Sequence, residues 1–148
     1  MASRGQRASL PSGKKKERKK KTANLKVACW NVRTVQDSED CPQRRSALVA
    51  RELAQLNIDI AALSDVHFAE QGSLRKDGAG YTFFWSGKNK NERRISGVGF
   101  MIKTSIAREL QNLPVGHSDH IMSLRLTIQD KFATILSVYA LLCRLKME

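Results

Sequence analysis

No apolar run in this 148-residue chain approaches the ~20 residues that a membrane-crossing helix needs. The N-terminus is basic and polar and has no apolar segment of the kind a secretory signal carries. Cysteine is scarce too. Cys29, Cys41 and Cys143 are too few and too scattered for a disulfide framework, which points to a reducing compartment. Cys29 alternates with Leu25 and Val27 on one strand face and reads as a small core residue. Apolar residues make up 41% of the chain, slightly low for a globular protein but outside the disordered range. The length suits one domain with a usable core. Acidic side chains are outnumbered 14 to 26, for a net charge of +12. Residues 1–24 hold nine Lys or Arg against one Glu, and residues 25–148 hold seventeen against thirteen. The excess is mostly a property of the N-terminal arm.

That arm, residues 1–24, is rich in Ser, Gly, Lys and Arg, with Leu10 isolated among them. It cannot bury enough surface to offset its ordering entropy and reads as disordered. Its dense part is Lys14, Lys15, Lys16, Arg18, Lys19, Lys20 and Lys21. Such a cluster serves nuclear import or contacts nucleic-acid phosphates, set against the plain alternative of a solvated charge run. It makes the nucleus the expected location, and otherwise the cytoplasm.

Order is expected from Leu25. Leu25-Lys26-Val27-Ala28-Cys29-Trp30 reads as a strand buried on much of both faces. Pro42 suits the first turn of a helix running to about Asn57, because its missing N–H would be unpaired there anyway. Val49, Leu53 and Leu56 supply its apolar stripe, with Ala50 and Ala54 alongside. Ile58-Asp59-Ile60-Ala61-Ala62-Leu63 follows at once, as a parallel strand does in a βαβ unit, so Trp30 and Leu63 should end on the same sheet edge. Residues 81–85 form an aromatic strand, 86–96 a polar, basic loop, and 98–102 another strand with glycines that permit close backbone approach. Met122, Leu124, Leu126 and Ile128 alternate with Ser123, Arg125 and Thr127. A tight connection at Gln129-Asp130-Lys131 leads to a last strand over 132–139. Short connections between successive strands suggest an antiparallel extension of the sheet.

Open α/β sheets build active sites from polar side chains at the C-terminal ends of buried strands. Asn31 and Asp65 hold such positions, and Tyr139 is a third candidate. Trp30-Asn31-Val32-Arg33-Thr34, Leu63-Ser64-Asp65, Gly97-Val98-Gly99-Phe100 and Ser137-Val138-Tyr139-Ala140 occur in the order used by the endonuclease/exonuclease/phosphatase superfamily. Over residues 25–140 the chain resembles its N-terminal part. It is closest to LINE-type retrotransposon endonucleases and craniofacial development protein 2-like proteins, chiefly through residues 54–63 and 78–85.

The resemblance implies an α/β sandwich and a Mg²⁺-dependent attack of water on a nucleic-acid phosphodiester, DNA first, with no nucleotide cofactor. Asn31 would sit beside metal and phosphate, Asp65 would take the place of a metal-binding Glu, and Tyr139 would contact the phosphate region. Departures accompany these matches. Asp65 is one methylene shorter than Glu. Val66 and His67 stand where Thr and Arg are usual, and Leu141 where Pro is usual. In the family an Asp, an Asn and a final Asp-His pair follow the Tyr, and residues 141–148 read instead as an unrelated tail. The expectation is a truncated domain, weakly active or inactive, with one sheet formed and its apolar face open to association. The alternatives are a non-catalytic nuclear nucleic-acid binder and a non-functional retrotransposon relic.

Other side chains allow functional and plain readings. Lys88, Lys90, Arg93 and Arg94 form a loop able to contact phosphates or merely to meet solvent. The aromatic strand 81–85 could stack bases, but alternation assigns half of it to the core. His67 reads as an exposed loop residue. Ser118-Asp119-His120 repeats a catalytic tripeptide of the superfamily but precedes Tyr139 rather than closing the domain. With Pro114 and Gly116 nearby, it reads as a polar connector, and His117 and His120 as no metal pair.

Overall fold

The computed structural model describes residues 24–33, 43–92 and 96–140. The basic cluster over 14–21, Pro42, Arg93, Arg94 and the tail 141–148 lie outside them. Strand β1 (Val27–Asn31) is followed by helix α1 (Gln43–Gln55), then β2 (Ile60–Ser64), β3 (Gln71–Lys76), β4 (Tyr81–Ser86) and β5 (Val98–Lys103). Helix α2 (Thr104–Glu109), β6 (Val115–Gly116), β7 (Ile121–Ile128) and β8 (Lys131–Val138) complete the order. A mixed five-stranded sheet runs β1-β2-β5-β4-β3, and a second sheet runs β6-β7-β8. β1 and β2 are parallel, with Trp30 opposite Leu63 as the βαβ reading requires, and all other pairs are antiparallel.

The five-stranded sheet is covered on both faces. On one, Val49, Ala50 and Leu53 of α1 pack against Ala61, Leu63, Tyr81, Phe83 and Met101. On the other, Met122, Leu124 and Leu126 of β7 pack against Ile60, Ala62, Phe84, Val98, Phe100 and Ile102. The apolar runs of β2 and β5 supply side chains to both layers, whereas the alternation of β7 supplies one. Two sheets therefore form where one was expected, and the association surface expected on the first sheet is occupied by the second.

The end of α1 shows how local chemistry sets the path into β2. Asn57 takes a left-handed conformation, with φ 53°. Its N–H donates to Ala54 C=O at 3.1 Å, and that of Ile58 donates to Leu53 C=O at 3.0 Å. This is the Schellman pattern, and Ile58 packs against the cluster containing Leu53. The helix thus stops before Leu56, which is exposed rather than part of the apolar stripe. Tyr81 then donates its hydroxyl to Ile58 C=O at 2.5 Å, tying β4 to the same turn.

One further expectation fails at a sheet edge, and the opposite edge holds a strand without a sequence signal. β1 is an edge strand, so Val27, Cys29 and Trp30 are exposed and Cys29 is not a core residue. β3, Gln-Gly-Ser-Leu-Arg-Lys, carries almost no apolar signal and is held by pairing to β4 along its whole length. Close approach at the sheet centre does hold. A Cβ on Gly99 would lie 2.6 Å from the Phe83 ring and 2.7 Å from the Phe84 carbonyl oxygen.

Candidate functional site

Parallel pairing of β1 and β2 sets Asn31 opposite Ser64, and Val32 N–H donates to Ser64 C=O at 3.1 Å. Asp65 follows directly at the end of β2. Ser64 is also opposite Val98, so β5 begins at this same rim. The Ser137 hydroxyl donates to Leu63 C=O at 3.3 Å, bringing the end of β8 over the end of β2. Tyr139 leaves β8 two residues later, and its N–H donates to His120 C=O at 2.9 Å. Asn31, Asp65 and Tyr139 therefore occupy one end of the two-sheet stack, on three different strands.

The segment after β2 is conformationally costly. Asp65, His67 and Glu70 all have φ near +60°, in the left-handed region that non-glycine residues avoid at about 1 kcal/mol or more each. Within it His67 Nε2 lies 2.5 Å from Asp65 Oδ1. A carboxylate only accepts, so the imidazole N–H is the donor. His67 is thus a partly buried partner of Asp65, not the exposed loop residue expected. The hydrogen bond holds the carboxylate in one orientation and takes up one of its oxygens. The Asn31 side-chain oxygen accepts the Arg33 N–H at 3.1 Å, closing a local turn.

The tripeptide Ser118-Asp119-His120, read as a polar connector, reaches the same rim. Asp119 accepts from the Ser96 hydroxyl immediately before β5. It also lies 3.2 Å from His120 Nε2. The His120 ring stacks on Tyr139, with centroids 6.1 Å apart and planes at 28°. His120 Nδ1 is buried without a hydrogen-bond partner among the described residues. Ser118 C=O accepts from the Ser86 hydroxyl at 2.8 Å, which anchors the loop to the first sheet. Sequence order hid this, because a loop preceding β7 and one following β8 meet only once the hairpin closes. His117 pairs with the Ser123 hydroxyl at 2.8 Å, away from the partners of His120.

Of the loop cations, Lys88 and Lys90 are among the described residues. Lys88 is half-buried, and Lys90 is exposed, 4.0 Å from Glu70. Phe83 and Trp85 of the aromatic strand pack with Phe68, and the Trp85 indole N–H donates to Ala69 C=O at 3.1 Å, so these rings are structural.

Among the described residues no three His, Cys, Asp or Glu side chains group closely enough to enclose a metal ion. The donor set accordingly does not fit an ion held by protein groups alone. A lone carboxylate beside Asn31 would suit only an ion that keeps most of its waters and takes a substrate phosphate, as Mg²⁺ does. Asp65 would be the carboxylate and Asn31 a neighbouring polar group. No helix among the described residues is long and apolar enough to cross a membrane. No family model and no curated protein matches the chain.

Proposed function

We propose that this chain is an endonuclease-like phosphodiesterase domain of the endonuclease/exonuclease/phosphatase type, with Asp65 binding Mg²⁺ and with weak turnover at most. The observation that supports it best is the gathering of Asn31, Asp65 and Tyr139 at one rim, from the ends of β1, β2 and β8. Asp65 would hold the hydrated ion, Asn31 would orient a phosphate oxygen, and the Tyr139 phenol would hydrogen-bond beside it. Mg²⁺, when bound, would supply positive charge against the phosphate and the leaving oxygen. Asp119 and His120 add a carboxylate–imidazole pair on the same rim, the residue types that general acid–base chemistry uses. DNA is the substrate class in view, and the basic cluster over 14–21 would favour the nucleus.

A second reading rests on the His67–Asp65 hydrogen bond, which takes up one oxygen of the carboxylate and leaves a single one for any ion. It makes the protein a non-catalytic nucleic-acid binder working through its excess of cations. Plasmid nicking separates the two. The enzyme reading expects slow nicking that needs Mg²⁺, stops with EDTA and disappears in Asp65→Ala. Nicking indifferent to EDTA and to that substitution would overturn it. Salt-sensitive DNA binding without any nicking would favour the second reading.

A further inference from the structure

We propose that Asp65 and His67 form a chelate for a first-row transition ion, Zn²⁺ by preference, which takes the rim ahead of Mg²⁺. The chelate rests on the reading of Asp65 as the metal-holding carboxylate and adds a nitrogen ligand to it. The two donor atoms are already converged, with His67 Nε2 2.5 Å from Asp65 Oδ1. An ion bound to both, through bonds of about 2.0–2.2 Å at tetrahedral or octahedral angles, sets its ligand atoms about 3.0–3.4 Å apart. The side chains therefore need to part by less than about 1 Å to admit it. In the neutral imidazole that carries its proton on Nδ1, Nε2 offers a lone pair instead of donating to the carboxylate. Two waters leave the hydrated ion, and Nε2 and Oδ1 take their places.

The backbone holds this pair in place before any ion arrives. Val66, between them, is fully buried in the cluster beneath α1, and its N–H donates to Gly97 C=O at 3.2 Å. Asp65 and His67 flank that fixed residue in left-handed conformations, with φ 60° and 59°. Folding has thus already ordered the two ligands, which lowers the cost of binding. Their side chains keep 18% and 28% of their surface in solvent, so an ion can reach both.

The imidazole selects the class of ion. Mg²⁺ takes oxygen ligands and dehydrates reluctantly, so His67 gives it nothing. Zn²⁺ binds His nitrogen and Asp oxygen directly, and a mixed nitrogen–oxygen site holds it more tightly than Mn²⁺ or Fe²⁺. With two protein ligands, the remaining positions stay open to water and to a phosphate oxygen. His120 is the rim's other imidazole beside a carboxylate, but it is already engaged. Asp119 lies 3.2 Å from His120 Nε2 and also accepts the Ser96 hydroxyl, and the His120 ring stacks on Tyr139.

The chain has three histidines, so their ring resonances report binding residue by residue. Zn²⁺ titrated into the full chain, with Mg²⁺ in excess and thiols capped by iodoacetamide, should move the His67 signals first. Mg²⁺ alone should move them far less. In competition with a zinc indicator, Asp65→Asn and His67→Asn should each weaken Zn²⁺ binding about tenfold or more, and His117→Asn should leave it unchanged. Asparagine tolerates left-handed backbone, so both variants should keep the wild-type circular dichroism spectrum. If either loses its fold, the wild-type resonances decide. His67 signals that move no more with Zn²⁺ than with Mg²⁺ would overturn the proposal, as would full Zn²⁺ affinity in a folded His67→Asn. Binding is read without turnover. Failure of the chelate therefore leaves Mg²⁺-dependent nicking through Asp65 standing, and a chain that never nicks can still bind Zn²⁺.

Discussion

The five-stranded sheet and the three-stranded sheet differ in how much of each strand is enclosed. β2 and β5 lie at the centre of the first, and nearly every side chain from Ile60 to Leu63 and from Val98 to Ile102 is buried. β7 and β8 keep one face in contact and turn the other outward, burying Met122, Leu124 and Leu126 but exposing Phe132, Leu136 and Val138. The lesson is that hydrophobicity alone does not measure burial. Phe132 is as apolar as Phe100, yet one is 63% exposed and the other fully enclosed. A layer on each side of a strand, not the composition of the strand, makes a large aromatic contribute its full transfer energy.

Substitutions that truncate side chains in the two sheets should sharpen this contrast. Phe100→Ala removes a ring enclosed between the sheets and should lower unfolding free energy by about 3–5 kcal/mol in a urea titration. Gly99→Ala, beside it, forces a methyl group against the Phe83 ring and the Phe84 carbonyl, and should cost about 1–3 kcal/mol in the same assay. If either change were as mild as a surface substitution, the central strands would not be packed as the structure has them.

Asp59 offers a smaller effect with a pH signature. Burial pushes its carboxyl up. The Lys103 ammonium, 2.9 Å away, and the Lys26 N–H, 2.8 Å away, outweigh that and hold it below the ordinary 3.8. A carboxylate lowered in the folded state contributes stability that is complete above its unfolded pKa and is lost as pH falls through the folded value. Asp59→Asn should therefore cost about 1 kcal/mol near neutrality and progressively less as pH falls through the lowered carboxyl pKa, below which it converges with wild type. Denaturation midpoints across that range read it directly, and a penalty equally large in acid would contradict the ion pair. The smallest effect belongs to the second sheet's outer face. Phe132→Ser should change stability by no more than about 0.5–1 kcal/mol, because the ring is exposed and loses chiefly its contact with the Arg125 guanidinium, 4.4 Å from its centroid.

The sequence carried the first sheet's centre well and its edges poorly. The βαβ order, α1 and strands β2, β4, β5, β7 and β8 were legible because periodicity reports enclosure. β3 was not, because its residues bring little hydrophobic signal and pairing with β4 holds them in place. β1 misled in the opposite direction, since a short apolar run looks the same on an edge as in a centre. Of the candidate site, Asn31, Asp65 and Tyr139 could be picked out as strand-end residues. The partnership of His67 with Asp65 could not, because it depends on left-handed backbone at Asp65 and His67. Nor could the stacking of His120 on Tyr139, which needs the β7–β8 hairpin to close.

The linear chain by itself determined the local conformations: how Asn57 caps the end of α1, where the chain reverses at Gln129-Asp130, and which side chains alternate along β7. Each follows from backbone sterics and side-chain chemistry within a few residues. Only the tertiary structure decided which apolar faces are covered, which strands are edges, and which polar groups share a rim. Those outcomes depend on contacts between residues far apart in the chain, whose geometry no local preference encodes.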